Sequence, residues 1–285
     1  MNNFKALTLL IPVLFLISSC ATETTPLNLN TENSTESNVT LAATEPFSYQ
    51  NYQQILSTYV DENGNVNYKA LKENRQNLDK FNASLATLSP QSFENWTEKE
   101  KIAFWINAYN SLTLLAIIEN YPTKSIRDIP GVWTKLQFNV MGKEVTLDEI
   151  EHKILRVQFN EPRIHMGLVC ASIGCPLLLQ EPYTGDKLDE QLDEQTRKFI
   201  ALNQNFKIDQ QNNQVYLSSI FKWFGEDFIP SFNAQEKFMG SDKERAVLNF
   251  ISQYLNESEQ KYLINGKYKI KYLDYDWSLN DKSTL

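Results

Sequence analysis

The sequence contains little of the side-chain chemistry from which most active sites are built. Its 285 residues include only two histidines, three cysteines and nine scattered glycines. There is no glycine-rich phosphate loop, which argues against the common nucleotide-binding motifs. Ser172 lacks the Gly-x-Ser-x-Gly setting of a serine nucleophile. Acidic residues outnumber basic ones and give a formal net charge of −8. We therefore expect no nucleic-acid partner, because nucleic acids select for basic surfaces.

The few reactive side chains are concentrated in residues 149–176. This stretch holds both histidines, His152 and His165, and two of the cysteines, Cys170 and Cys175. A thiol beside an imidazole is typical of a nucleophilic site, because the base or its positive charge holds the sulfur as thiolate. The first hypothesis is a thiol-dependent hydrolase or acyltransferase acting on peptide-like bonds. Either cysteine can be its nucleophile and either histidine its base.

Two other interpretations fit the same residues. In an oxidising compartment, Cys170 and Cys175 can form a disulfide, and the chain is then a non-catalytic binding or scaffolding protein of the cell envelope. A zinc site would use both histidines and both cysteines, but the Cys-x4-Cys spacing is looser than that of usual zinc ligands. We therefore predict no metal and no cofactor, and leave the enzyme and the binding protein open.

The N-terminal region predicts export and lipid anchoring. Residues 1–19 combine one lysine with an apolar run that is too short to span a bilayer but typical of a signal peptide. The run ends in Ile-Ser-Ser before Cys20, which is similar to a bacterial lipobox, so Cys20 is predicted to carry a membrane-anchoring lipid. Residues 20–46 lack aromatic side chains and are predicted to be a disordered tether. We expect residues 47–285 to form one domain at the bacterial cell envelope, with the outer membrane as the expected location.

Capping signals mark two helices in the domain. Residues 97–100 form a capping box for a helix that ends near residue 119, is apolar nearly all round and should be buried at the centre. Asn107 and Asn110 interrupt its apolar surface. They either tie down neighbouring loops or line a pocket and orient a substrate or a catalytic side chain. A second capping box, at residues 146–149, begins the helix that carries the first histidine.

The sequence beyond these helices predicts strands. Residues 163–170 are predicted to form a strand, which would place His165 and Cys170 on opposite faces. Cys175 follows a turn and can fold back toward either side. The Asn265–Gly266 turn between apolar runs predicts a hairpin.

The predicted cleft is completed by aromatic and polar side chains near the histidines. Asn107 is a candidate catalytic or orienting group, and Asp227 is a second candidate for orienting a histidine. A turn stapled by aromatic rings is the alternative interpretation of the block around Asp227. A peptide or a glycan is the expected ligand. The side chains expected to contact it are Asn110, Trp105, Tyr109, Trp223 and Asp227.

Several blocks of the sequence resemble a known family in matching order. They are 61-DENGNVNYKAL, 104-FWINAYNSLTLLAI, 147-LDEIEHKILR, 164-IHMGLVCASIGCPLL, 217-LSSIFKWFGEDF and 273-LDYDWSLN. Together they resemble the domain of unknown function 547 (DUF547) family over nearly all of residues 50–280, with Ser111 standing where alanine is common. The resemblance implies no established activity. It implies an occurrence in bacterial exported proteins and, with coiled-coil regions, in plant cytosolic ones.

The alternation of helices and strands predicts an α+β domain in which the buried central helix packs on an antiparallel sheet. This layout is similar to papain-like and transglutaminase-like folds. In those folds a cysteine begins the central helix, near a histidine on a strand. Residues 101–105 offer no cysteine at that position, so the likeness requires Cys170 or Cys175 to supply the thiol.

Overall fold

The computed structural model of the protein describes residues 47–284. The predicted signal peptide, the lipid site at Cys20 and the tether to residue 46 lie outside the described residues and stay predictions. A π-helix covers Glu149–Leu155, and short 3-10 turns lie at Ile126–Asp128, Pro162–Met166 and Gly225–Phe228. The α-helices, in chain order, are α1 (Gln50–Tyr59), α2 (Tyr68–Glu73), α3 (Gln76–Thr87), α4 (Pro90–Glu94), α5 (Glu98–Asn120), α6 (Arg156–Gln158), α7 (Leu188–Ala201), α8 (Ser219–Phe224), α9 (Ile229–Phe232), α10 (Asp242–Ser252) and α11 (Glu257–Asn265).

The strands form two small sheets. Strands β1 (Phe138–Val140) and β2 (Lys143–Val145) make an antiparallel pair. In the second sheet, β3 (Phe206–Asp209) and β4 (Gln214–Leu217) are antiparallel, and β5 (Lys269–Tyr272) runs parallel to β4. The predicted hairpin at Asn265–Gly266 is therefore wrong. Helix α11 precedes this turn, and the strand that follows it pairs with β4, which is far away in sequence.

Helix α5 is the buried centre of the domain, as predicted. The Thr97 side chain accepts a hydrogen bond from the Glu100 backbone N–H, and the Glu100 carboxylate accepts one from the Thr97 N–H. Within residues 47–284, α5 is the one helix long and apolar enough to cross a membrane, but 89% of its most apolar window is buried inside the protein. It is therefore a core helix.

The α+β class is confirmed, but the central helix has different partners from those predicted. Helix α5 packs against α2, α3, α7 and the π-helix, where a sheet was expected. The reason is geometric. The strands are only three or four residues long, whereas α5 is buried on nearly every side from Ile102 to Ile118. Helices therefore enclose it.

The predicted strand at residues 163–170 is wrong. The chain forms the 3-10 turn Pro162–Met166 and then an irregular segment. The Asn110 side chain of α5 forms the hydrogen bonds to the backbone of this segment that a neighbouring strand would have formed. Its amide donates to the Gly167 carbonyl at 2.9 Å, and its oxygen accepts from the Val169 N–H at 2.9 Å. One buried side chain thus replaces a strand partner.

Two hydrophobic clusters make up the core of residues 47–284. One surrounds α5, and the other lies between α10, α8 and the three-stranded sheet. Tyr275, in the segment after β5, packs against both clusters. Side chains from both also line the main cleft of the domain, for example Leu168 from the first and Ile220 from the second.

Candidate functional site

The main cleft has a volume of about 370 Å³ and brings together side chains from distant parts of the chain. All four reactive side chains of residues 149–176 line it. That size suits a small molecule or one or two residues of a peptide. The lining residues are Tyr109, Trp133, Thr134, Asp148, Glu151, His152, His165, Leu168, Cys170, Cys175, Pro176, Ile220, Trp223, Phe224, Tyr275 and Trp277.

The two cysteines flank a tight turn that the C-terminal segment holds in place. Ala171 in this turn has φ of +60°, a left-handed conformation that is uncommon for a residue with a side chain. The backbone N–H groups of Ile173 and Gly174 donate to carbonyls of the 276–278 segment, each at 2.9 Å. A Cβ on Gly174 would lie 3.0 Å from ring carbons of Tyr275, so a larger residue would crowd that ring. We call residues 170–175 the thiol loop.

Cys170 and Cys175 are free thiols whose sulfurs lie 2.7 Å apart. The Tyr275 hydroxyl is 3.1 Å from the Cys170 sulfur and 3.0 Å from the Cys175 sulfur. The structure therefore has no disulfide between them. Instead, the loop brings two sulfurs and a phenol into one hydrogen-bonded group.

The two thiols have different proton affinities. The hydrogen bond with Cys175 lowers the pKa of Cys170, and together with smaller contributions from Tyr275 and Ser172 it outweighs burial. Burial raises the pKa of Cys175, and the neighbouring Cys170 sulfur raises it further. Burial also raises the pKa of Tyr275, which keeps its hydroxyl protonated as a donor. Cys170, which is only half-buried, is therefore the thiol of the pair that ionises more readily.

His165 is held by a carboxylate and an aromatic ring. Its Nε2 is 2.8 Å from Asp227 Oδ2, and its ring stacks on Phe224 with centroids 4.2 Å apart. Arg156 forms a bidentate pair with the same carboxylate, at 2.6 and 2.9 Å. Burial alone would raise the pKa of Asp227, but the hydrogen bonds from His165 and Arg156 hold that pKa well below its ordinary value. Asp227 is thus an anion that fixes the orientation of His165.

His152 belongs to the same network. The Arg156 guanidinium donates to its Nδ1 at 2.8 Å, and its Nε2 lies 3.6 Å from Asp148 Oδ1. Since arginine can only donate, the neutral His152 ring carries its proton on Nε2. The π-helix carries Glu151 and His152 on the cleft wall, beside Asp148, the residue that precedes it. Such π-helical turns are frequent at functional sites.

Both predicted bases share the cleft with the thiols, but neither is hydrogen-bonded to a sulfur. Among residues 47–284, the sulfurs of Cys170 and Cys175 bond to each other, to Tyr275, to Ser172 and to the backbone N–H of Cys170. The inference that His165 and Cys170 face opposite ways is wrong. It depended on a strand, and the two side chains line one cavity.

Three predicted site residues lie elsewhere. Asn107 donates to the Tyr183 carbonyl at 2.7 Å and accepts from the Tyr183 N–H at 3.0 Å. Asn110 holds the segment before the thiol loop, and Trp105 packs in the core beside Phe93. None of the three lines the cleft, and neither does Asp227, which was also predicted to contact the ligand and instead lies behind His165. The structure therefore favours the architectural role for both amides, because their polar groups are already used on backbone partners.

Tyr109 and Trp223 do line the cleft, as predicted, and the structure adds residues that the sequence did not indicate. Trp133, Tyr275 and Trp277 form a contiguous ring cluster with Trp223, which is 43% exposed. We call these four rings the aromatic wall. Two of its rings, Tyr275 and Trp277, come from the 273-LDYDWSLN block.

The described part of the chain has no group of three or more His, Cys, Asp and Glu side chains placed to hold a metal ion. The four reactive side chains have other partners. His152 is hydrogen-bonded to Arg156, His165 to Asp227, and the two sulfurs to each other. The arrangement offers a thiol with a lowered pKa in a cavity that also holds two imidazoles.

Residues 93–200 match the model of the family described as "Protein of unknown function, DUF547". This match confirms the resemblance over the part of the chain that runs from α4 to α7 and contains both histidines and the thiol loop. No match to the chain was found among curated proteins or among solved structures. The likeness to papain-like and transglutaminase-like folds stays a prediction.

Proposed function

We propose that the protein is a thiol-dependent hydrolase or acyltransferase acting on peptide-like bonds, with Cys170 as its nucleophile. The observation that carries this proposal is the hydrogen-bonded group at the cleft. A half-buried thiol with a lowered pKa lies against Cys175 and Tyr275, in a cavity that also holds two imidazoles. Perturbed thiols concentrate at functional sites.

The neighbours of Cys170 have distinct roles in this proposal. The Cys170 thiolate attacks the acyl carbonyl, and the Cys175 thiol and the Tyr275 hydroxyl stabilise the sulfur anion. His165 serves as the proton carrier. Asp227 occupies its Nε2, which leaves Nδ1 as the nitrogen for proton transfer. Asp227 is then the orienting group, the role in which a carboxylate fixes the tautomer and direction of a histidine.

The reaction then balances in two steps. A carbon–sulfur bond forms while the bond to the leaving group breaks, and the imidazolium gives its proton to the leaving amine. Water or another acceptor next attacks the thioester, and its proton passes to the imidazole. The carbon–sulfur bond breaks, and the thiolate is restored.

A burst experiment with p-nitrophenyl acetate tests this function. We expect one equivalent of p-nitrophenolate to appear rapidly, with an acetyl adduct on Cys170 in the intact-mass and peptide spectra. Cys170→Ser should abolish both signals, whereas Cys175→Ser should keep an adduct at Cys170. No burst from folded, reduced wild-type protein, or an adduct located on another residue, would refute the proposal.

A second candidate function is supported by the aromatic wall. Its rings suit a sugar face or a peptide side chain, so the chain is alternatively a non-catalytic binding protein of the envelope. In that case Cys170 and Cys175 oxidise to a disulfide in the native compartment. Two free thiols in protein taken directly from cells, measured by alkylation and intact mass, would exclude this version.

We also propose that Cys20 anchors the protein to the bacterial envelope through a lipid. The support is the lipobox-like sequence before Cys20 and the absence of aromatic residues from residues 20–46. Expression with a labelled fatty acid should give a labelled membrane-bound protein. Cys20→Ser should release an unlabelled protein, and a Cys20→Ser protein that keeps the label would refute the anchor.

A further inference from the structure

The charge of the cleft is unusual for a site that handles acyl groups. Two carboxylates, Asp148 and Glu151, are among its lining residues, and no lysine or arginine is. Two guanidiniums lie behind its lining rings: Arg127 lies over Trp277, and Arg156 is engaged by both oxygens of Asp227 and by His152. Ionisation of Cys170, whose pKa is lowered by its hydrogen bond with Cys175, adds a further negative charge. Such a cavity attracts cations and repels carboxylates and phosphates.

Glu151 lies in the part of the cavity where the reaction is proposed. Burial raises the pKa of the Tyr109 hydroxyl and the charge of Glu151 raises it further, and the same charge acts on the Cys170 thiol, where it opposes ionisation. It forms no salt bridge with any residue in the range 47–284, whereas its helix neighbour Glu149 pairs with Lys153 at 2.9 Å. Its charge acts on the Arg156 guanidinium, but Asp227 and His152 already take the hydrogen bonds of that guanidinium, so a cationic ligand would give Glu151 a direct partner.

The aromatic wall favours the same type of ligand. Cations bind to the faces of tryptophan and tyrosine rings, most strongly where water is excluded. Arg127 already covers Trp277 at 5.3 Å, and Arg156 covers Phe224 at 5.0 Å. Trp223 has no such partner among the described residues and is the most exposed ring of the wall.

We propose that the cleft binds a primary ammonium group between Glu151 and the aromatic wall, so that the acyl acceptor is an amine and the enzyme is an acyltransferase. This inference depends on the proposed thiol function and names its second substrate. A lysine side chain has this chemistry: an ammonium group on an apolar stem.

The transfer step balances without a further reactant. The bound ammonium loses one proton through Glu151 to solvent, and the free amine attacks the thioester carbonyl. A carbon–nitrogen bond forms, and the second proton passes to the His165 imidazole. The carbon–sulfur bond breaks, which restores the Cys170 thiolate and the imidazolium and releases an amide.

The test uses full-length protein acylated by p-nitrophenyl acetate, with Nα-acetyl-lysine N-methylamide as the acceptor. We expect turnover after the burst to rise with acceptor concentration and to saturate, with the acetylated lysine derivative as product. The trimethyl-lysine analogue is a cation that cannot attack, so it should compete with the acceptor. The glutamate analogue should have no effect.

A charge-matched pair of variants locates the binding site. Glu151→Gln should raise the half-saturating acceptor concentration about 10- to 100-fold, the factor of one charge-assisted hydrogen bond. Glu73→Gln, at an exposed position on α2, should leave it unchanged. The competition by the trimethyl analogue needs no variant and keeps the inference testable if Glu151→Gln does not fold.

The outcomes separate this inference from the function on which it depends. A burst followed by hydrolysis alone, with no saturable effect of the amine, would overturn the proposal that the acyl acceptor is an amine. The proposed thiol function would be unaffected. No acetyl group on Cys170 would overturn both. A saturable effect that Glu151→Gln leaves unchanged and that the trimethyl analogue does not compete with would also overturn the proposed binding site.

Discussion

Replacing Asp227 by asparagine isolates the network that holds His165. The substitution keeps the shape of the side chain but removes the charge that accepts hydrogen bonds from Arg156 and His165. Arg156 and Asp227 are about three-quarters buried, with side-chain exposures of 25% and 23%. The guanidinium is therefore left as a partly desolvated charge without its counter-ion.

The expected magnitude follows from this burial. A bidentate, charge-assisted pair contributes about 2–3 kcal/mol when one partner is removed from a partly buried site. For a domain of this size, that loss lowers Tm by roughly 4–12 °C. Loss of the group that orients a proton carrier should also reduce the acylation rate by about 10²–10⁴-fold.

The same substitution predicts a pH dependence. Because the pKa of Asp227 is held below its ordinary value, the pair stabilises the folded protein above about pH 4, the pKa of an unfolded aspartate. This contribution is lost as pH falls toward the lowered pKa. The difference in stability between wild type and Asp227→Asn should therefore be largest near neutrality and shrink in acid.

The assay combines urea unfolding at several pH values with the rate of the p-nitrophenolate burst. Asp79→Asn serves as a control, because Asp79 pairs with Arg75 at a more exposed position and Arg75 keeps Glu119 as a second partner. We expect Asp79→Asn to lower the free energy of unfolding by less than about 1 kcal/mol and to leave the rate of the burst unchanged. Equal stability losses in the two variants, or an unchanged burst in Asp227→Asn, would refute the reasoning.

Three further predictions concern the thiol loop and its support. Asn110→Ala should lower the free energy of unfolding by about 2–4 kcal/mol in urea titrations, because two buried backbone groups lose their partner; a loss below about 1 kcal/mol would contradict the architectural role. Tyr275→Phe should shift the alkylation profile of Cys170 to higher pH, since the hydroxyl lowers the pKa of that thiol; an unchanged profile would exclude the hydroxyl as a donor. Gly174→Ala should lower the free energy of unfolding by about 1–3 kcal/mol in the same titrations, because the added Cβ lies 3.0 Å from ring carbons of Tyr275. An unchanged free energy of unfolding would show that the Tyr275 segment shifts without cost.

The sequence predicted the parts of the fold that depend on local signals. The capping box at Thr97 and the apolar surface of α5 correctly predicted a buried central helix. The segment 163–170 was predicted wrongly because its hydrophobic alternation matches a strand. Its backbone partner is the side chain of Asn110, which is more than fifty positions away in the sequence. No local pattern reports such a partner.

The candidate site was likewise only partly predictable. Reactive side chains are rare in this chain, so their concentration in residues 149–176 indicated the cleft correctly. The other wall comes from Trp223, Tyr275 and Trp277, which tertiary contacts bring beside the thiol loop. The role of Asp227 depends on its distance to His165, 62 residues away, which spacing along the chain does not reveal.

The pH dependence of cysteine alkylation tests the central claim most directly. Reduced protein is treated with iodoacetamide at a series of pH values, and the modified residue is identified by peptide mass spectrometry. We predict that Cys170 reacts first and that its rate is half-maximal below the ordinary thiol pKa of about 8.5. First modification at Cys175, or a half-maximal rate for Cys170 at or above that pH, would contradict the assignment of Cys170 as the activated nucleophile.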